Sequence, residues 1–351
     1  MTRTHFIVAA ALVLAVTMPA PAAVRFEARG PRPAPDAASV LKTMLAAPAL
    51  IDYEGTKVIS TVRGTRAETV TILEAFKRLG RLRLEFLSPE SVSGRLIVDD
   101  GVDTWQYEPS MHLVIRGPSF VQGAGSPEPA EDILRRYTVS LLGREAVIGR
   151  DTVVLALAPG AGGSNRHLWV DQATGVVLRT EERDAGGEIV YVSYFSRISY
   201  SLNLPTALFT FRRPAGAKVL SFHVSGGRVT TADELRRQAG TPIVAPPRLL
   251  NRYVFRDGRV ARHGAFAAAA ATYSDGVGVV TIFQTPASRM AFPNVGRETV
   301  VGSMRGPLGR FLDLGYFRVV LWQSRATNFA VLGNVPQTVL MAIAAELTGI
   351  K

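Results

Sequence analysis

The chain contains no cysteine, which excludes disulfides, thiolate nucleophiles and zinc–thiolate sites. Its 351 residues must be held by their own core, and a hydrophobic content of 47% can supply one. Histidine is scarce. His5, His112, His167, His223 and His263 are all there are, and none has a partner at the spacing of a His-Glu-x-x-His metal site. No Gly-x-Ser-x-Gly elbow occurs, and Gly160-Ala161-Gly162-Gly163 lacks the Lys-Ser/Thr that a phosphate loop needs, so it reads as a turn. Asp99, Asp100 and Asp103 lack the further oxygen ligands and the terminal glutamate of a calcium loop. Glu181 and Glu182 are adjacent on a strand and point to opposite faces, so they cannot share a proton. The chain therefore reads as a binding protein rather than an enzyme, with no metal and no cofactor expected.

What is present begins with an address. Arg3 and His5 precede an apolar run from Phe6 to Val16, followed by Pro19-Ala20-Pro21-Ala22. That order is a secretory signal peptide, with cleavage expected after Ala22. At about eleven residues the run falls short of the roughly 20 that a membrane span needs. The expected location is the periplasm, and residues 23–35, rich in Ala, Pro and Arg, read as a flexible mature N-terminus.

The net charge of +11 is uneven: residues 241–351 hold 12 Lys+Arg against 5 Asp+Glu, and residues 1–240 hold 28 against 24. Export argues against nucleic acid as the partner of this excess. An acidic protein surface or anionic lipid headgroups fit better. Before Lys351 the basic residues of the C-terminal third are all arginine, whose planar fork suits carboxylates at an interface. Arg305, Arg310, Arg318 and Arg325 are the partner-binding candidates, with peripheral membrane contact a further option.

Asp36 is an N-cap for a helix to about Ala47, closed by Pro48. Beyond Tyr53 the period changes to two. Arg81-Leu82-Arg83-Leu84-Glu85-Phe86 alternates without a slip, and Asp99-Asp100-Gly101 is hairpin chemistry. Further strands follow at 57–62, 96–98, 103–107, 113–115, 153–157, 167–170, 176–181 and 189–195, with a short helix near 129–137. This predicts an α+β protein whose N-terminal part, 36–214, is a curved antiparallel sheet or half-barrel with a helix across its concave face. Leu82, Leu84, Phe86, Trp105, Tyr107 and Trp169 are expected to line an apolar cavity there. Residues 215–247 read as a linker carrying one helix with the capping box Thr231-Ala232-Asp233-Glu234. Residues 248–351 read as a smaller α+β domain, with strands at 271–273, 277–285, 298–303, 317–322 and 328–332 and a final helix to Leu347.

Several short motifs recur in one order. Tyr53-Glu54-Gly55-Thr56, Leu168-Trp169-Val170-Asp171 with Thr174-Gly175, and Phe209-Thr210-Phe211 with Pro214 lie in the first part. Tyr273-Ser274-Asp275-Gly276, Val320-Leu321-Trp322 and Val331-Leu332-Gly333-Asn334-Val335-Pro336 lie in the second. Together they resemble the MucB/RseB family of periplasmic sigma-E regulators, and the segment around Trp169 also resembles the LolA/LolB lipoprotein carriers. The resemblance spans about residues 36–351. It implies a LolA-like domain that senses lipid, lipoprotein or peptide, a C-terminal domain that docks on an anti-sigma factor, and no catalysis. A periplasmic lipoprotein or lipid carrier is the alternative.

Overall fold

The computed structural model describes residues 36–349 apart from 64–65, 120, 122–128, 161–164, 201–202, 222–223, 225, 264–265, 277, 289–296, 303–305 and 314–317. The expected signal peptide and flexible N-terminus, residues 1–35, lie outside the described residues. Helix α1 spans Ala37–Leu50, and the Asp36 carboxylate accepts the Ser39 N–H at 2.7 Å as its cap. The helix runs past the expected stop. Pro48 sits in the last turn, where the Ile51 N–H still reaches the Ala47 carbonyl at 2.9 Å.

The strands β1 (Tyr53–Arg63), β2 (Arg66–Lys77), β3 (Arg81–Ser88), β4 (Leu96–Asp99), β5 (Asp103–Glu108) and β6 (Leu113–Pro118) follow. Helix α2 (Ala130–Arg136) leads into β7 (Tyr137–Val147), β8 (Arg150–Pro159), β9 (Asn165–Asp171), β10 (Val177–Arg183), β11 (Ile189–Ser199) and β12 (Lys218–Ser221). These make one 12-stranded sheet in the order β12-β6-β5-β4-β3-β2-β1-β11-β10-β9-β8-β7. Pairing is antiparallel except for β12, which runs parallel to β6. The Asp99–Asp103 segment is the hairpin that its residues predict. Asp99 accepts from the Gly101 amide at 2.9 Å, and Asp100 accepts from the Val102 and Asp103 amides at 2.8 and 2.9 Å. Helix α1 lies over the β7–β9 part of the sheet, packing Val40 and Leu41 on Val153, Leu155, Leu157, Leu168 and Val170.

A second sheet of nine strands contains β13 (Arg228–Val229), β14 (Arg248–Leu249), β15 (Tyr253–His263), β16 (Phe266–Ser274), β17 (Val279–Pro286), β18 (Arg297–Val300), β19 (Leu308–Asp313), β20 (Arg318–Ser324) and β21 (Thr327–Gly333). Its order is β13-β15-β16-β17-β21-β20-β19-β18, with β14 on β15. The stretch 215–247 thus gives β12 to the first sheet and β13 and α3 (Ala232–Ala239) to the second. Helix α3 is capped as predicted, Thr231 accepting from the Glu234 amide at 3.2 Å, and it ends on Gly240 at φ +62°. It sits so close to the sheet that a Cβ on Gly258 of β15 would lie 2.8 Å from Leu235, and Ala269 and Ala271 of β16 share that cluster. Helix α4 (Gln337–Gly349) buries Leu340, Ile343, Ala344 and Leu347 on the same face. The other face packs Ala261, Ala270, Phe283, Leu312, Val319, Leu321 and Ala330 together with Ile115 of the first sheet.

Candidate functional site: the inner face of the first sheet and its seam with the second

Cross-strand register assigns the inner face. Leu82, Leu84 and Phe86 pair with Phe76, Glu74 and Ile72 of β2, and Leu84 pairs with Ile97 of β4. All three are at most 1% exposed and pack among Ile59, Ile72, Phe76 and Ile97. They form a filled core rather than the wall of an open cavity, a correction to the expectation from alternation.

Trp105 and Tyr107 do not join them. On β5 it is Gln106 that pairs with Ile97, so Trp105 and Tyr107 point to the opposite face. There Trp105 stacks on Phe211 at 5.4 Å beneath the Arg116 guanidinium. Tyr107 donates to His112 Nδ1 at 3.1 Å, and His112 Nε2 donates to the Ala215 carbonyl at 2.9 Å. Trp169 pairs with Val154, alternating with Leu168 and Val170, which lie under α1. Its indole N–H donates to Glu145 at 2.7 Å, and Arg179 covers its ring. The six aromatic and aliphatic candidates therefore lie on both sides of the sheet and line no common cavity.

Charge takes up the inner positions that apolar residues leave. Glu74, 2% exposed, accepts from Tyr53 and Lys57, both at 2.8 Å, and the Lys57 ammonium stands 4.5 Å above the Phe195 ring. Glu108 pairs with Arg95 at 2.6 Å and accepts from Gln106 at 2.5 Å. Glu182 pairs with Arg166 at 2.6 Å. Each of these three buried carboxylates is matched by a cation, so they stand as neutral pairs among the apolar residues. With side chains at most 14% exposed, the three pairs are internal to the folded chain. Among the described residues no group of three or more His, Cys, Asp or Glu is placed to hold a metal.

The seam with the second sheet centres on Asp275, which is wholly buried. Its carboxylate accepts from the Tyr137 hydroxyl and Arg252 Nε at 2.6 Å each and from the Gly278 amide at 2.7 Å. Arg136 donates to its carbonyl at 3.0 Å, so residues about 140 apart in sequence are joined. Burial pulls the Asp275 carboxyl upward. The Arg252 guanidinium, the Tyr137 hydroxyl and the Gly278 amide outweigh it and hold the carboxyl below its ordinary value. Burial, and then Asp275, push the Tyr137 phenol far above its usual range. In sequence, Tyr273-Ser274-Asp275-Gly276 stands out only as one of the motifs of the family resemblance. Nothing local marks Asp275 as the link between the sheets, because its partners come from α2, β7 and the turn before β15.

Of the arginine candidates, Arg318 is a correction. It is 5% exposed, donates to the Val335 carbonyl at 2.8 Å and lies 5.8 Å over the Tyr191 ring of β11. The strand carrying it is buried on both faces, so the guanidinium turns into the seam rather than to a partner. Arg310 lies 3.4 Å from Glu298 and is half-buried. Arg325 is exposed in the β20–β21 turn at φ +54°. Arg305 lies outside the described residues.

Residues 36–210 match the profile of the MucB/RseB N-terminal domain. The outer-membrane lipoprotein carrier protein of Leptothrix cholodnii is 30% identical over 168 residues, 47% of this chain and 76% of the carrier. A crystal structure of MucB superposes with a TM-score of 0.52 at 17% identity, over 88% of this chain and 96% of that one. The MucA/MucB complex of Pseudomonas aeruginosa gives 0.48 at 19% identity over 88% and 96%.

Proposed function

Because the chain belongs to the MucB/RseB family, we propose that it is a non-catalytic regulator of the bacterial envelope that holds an anti-sigma factor and responds to an amphiphilic ligand. The observation that carries this reading is coverage. The likeness to MucB runs through both sheets, over 88% of the chain, whereas the likeness to the lipoprotein carrier spans 47%. A carrier needs one sheet, and this chain adds a second with an arginine-rich exterior. In this reading residues 36–214 sense the ligand and residues 248–351 contact the partner. Export through residues 1–22 places both in the periplasm, and among the described residues no helix is long and apolar enough to cross a membrane.

The test is capture of the periplasmic part of a single-span anti-sigma protein by the mature chain at low and high salt. Salt-sensitive capture, weakened roughly tenfold by Arg310→Glu with Arg325→Glu, is the expected result. Capture that ignores both salt and the double reversal would remove the arginine face from the proposal. No capture of any anti-sigma protein, together with transfer of a lipoprotein between membranes, would favour the carrier reading that the 30% identity supports.

A further inference from the structure

We propose that the end of the first sheet carrying the β2–β3 and β4–β5 turns is a contact site for an anionic lipid surface, independent of the anti-sigma reading. Leu50, Leu79 and Val102 are 62%, 69% and 57% exposed, and all three lie at this end. They are neighbours. The Leu79 amide donates to the Pro48 carbonyl at 3.1 Å, which ties the β2–β3 turn to the last turn of α1. A Cβ on Gly101 would lie 3.1 Å from the Gly80 carbonyl, so the two turns abut.

The local backbone argues that these apolar tips are not incidental. Leu79 and Gly80 have φ of +68° and +93°, the conformation of a tight hairpin turn that favours Asn-Gly. Leucine there is conformationally disfavoured and gains no burial in return. The β7–β8 turn, at the same end by strand topology, repeats the pattern with Ile148 at φ +48° before Gly149, and Ile148 is 40% exposed. A β-branched residue in this region is a clearer outlier still.

Charge selects the occupant. The turn reads Lys77-Arg78-Leu79-Gly80-Arg81, with three cations around the most exposed leucine of the group, of which Lys77 also donates to the Leu204 carbonyl at 2.6 Å. The abutting β4–β5 turn carries the half-buried Asp100 above the buried Asp99 and Asp103, the latter paired with Arg116, so the exposed charge at this end is still mainly basic. Asp52, 3.6 Å from Arg78, is buried beneath the turn and already accepts the Arg78 amide at 2.8 Å. Projecting apolar tips in a basic collar suit an anionic leaflet: the leucines enter the headgroup layer while the cations meet phosphate.

The test uses the mature full chain and sedimentation with vesicles of phosphatidylethanolamine and phosphatidylglycerol against vesicles of phosphatidylcholine. Binding to the anionic vesicles, weakened by salt, is expected. Leu79→Asn with Val102→Ser should lower it about tenfold, since the loss of buried side-chain area acts directly on the partition constant. Asn suits the turn conformation better than Leu, so loss of fold is not an explanation, and circular dichroism should be unchanged. Met111→Ser, at the opposite end of the sheet, should bind as wild type. No binding to anionic vesicles at low salt, or equal binding by the double variant, would overturn the proposal. So would a double variant that loses an anti-sigma partner and keeps its vesicle binding, because the tips would then be a protein contact.

Discussion

The two sheets bury their inner faces in different ways. In the second, one continuous apolar cluster runs from Val229 through Tyr273 and Trp322 to Leu347, roofed by α3 and α4. In the first, the buried apolar residues fall into separate clusters, and Lys57–Glu74, Arg95–Glu108 and Arg166–Glu182 occupy the ground between them. A buried ion pair seldom adds more stability than well-packed apolar residues of the same volume. The first sheet gives up apolar burial for placed charge. The seam at Asp275 applies the same device between the sheets.

The largest effect should come from the seam. Asp275→Ala leaves Arg252 and Tyr137 buried without their acceptor and should cost about 3–5 kcal/mol, read as a lower denaturant midpoint. If urea unfolding of this variant splits into two transitions while the wild type shows one, Asp275 is what makes the sheets unfold together. A near-wild-type midpoint would show the seam to be incidental. Next in size, Ile343→Ala opens a cavity in the dry core of the second sheet and should cost about 2–5 kcal/mol, with partner capture altered only through stability.

How much of this was legible beforehand depended on whether the signal was local. The alternation of Arg81 to Phe86 identified a strand with Leu82, Leu84 and Phe86 buried, as observed. Alternation reports which side is buried, and it cannot tell a cavity wall from a filled core. Strands β2 and β16 were missed or cut short because Glu, Ala, Leu and Lys in Arg66–Lys77, and five consecutive alanines in Phe266–Ser274, favour helix; pairing with their neighbours overrides that preference. Arg318 was misplaced for a related reason. Its environment is set by the Val335 carbonyl on one side and the Tyr191 ring of the first sheet on the other, neither of which is near it in sequence.

A smaller effect is expected with acid. The Asp275 carboxyl is held below its ordinary value in the folded protein. Its contribution to stability is therefore complete above the unfolded value of about 3.9 and is lost as pH falls through the lower folded value. Stability should be insensitive to this group from pH 8 to about 5 and should decline below about 4. Asp275→Asn should lack that part of the acid decline. If the two proteins show the same slope below about pH 4, other carboxylates carry the acid response.

The smallest change in stability is predicted for the substitution that would say most about the difference between the sheets. Lys57 and Glu74 face each other on the inner side of β1 and β2, with Phe195 under the ammonium. Lys57→Met alone leaves the buried Glu74 carboxylate with only the Tyr53 hydroxyl and should destabilise. Adding Glu74→Leu removes the orphaned charge and restores an apolar surface, so the double variant should lie within about 1 kcal/mol of wild type or above it. Amphiphile binding, followed by titration with a fluorescent lipopeptide, should nonetheless weaken in the double variant if the pair is there for recognition. A double variant that is stable and still binds as wild type would make the pair a neutral substitute for apolar packing. The contrast between the sheets would then lie in composition and not in function.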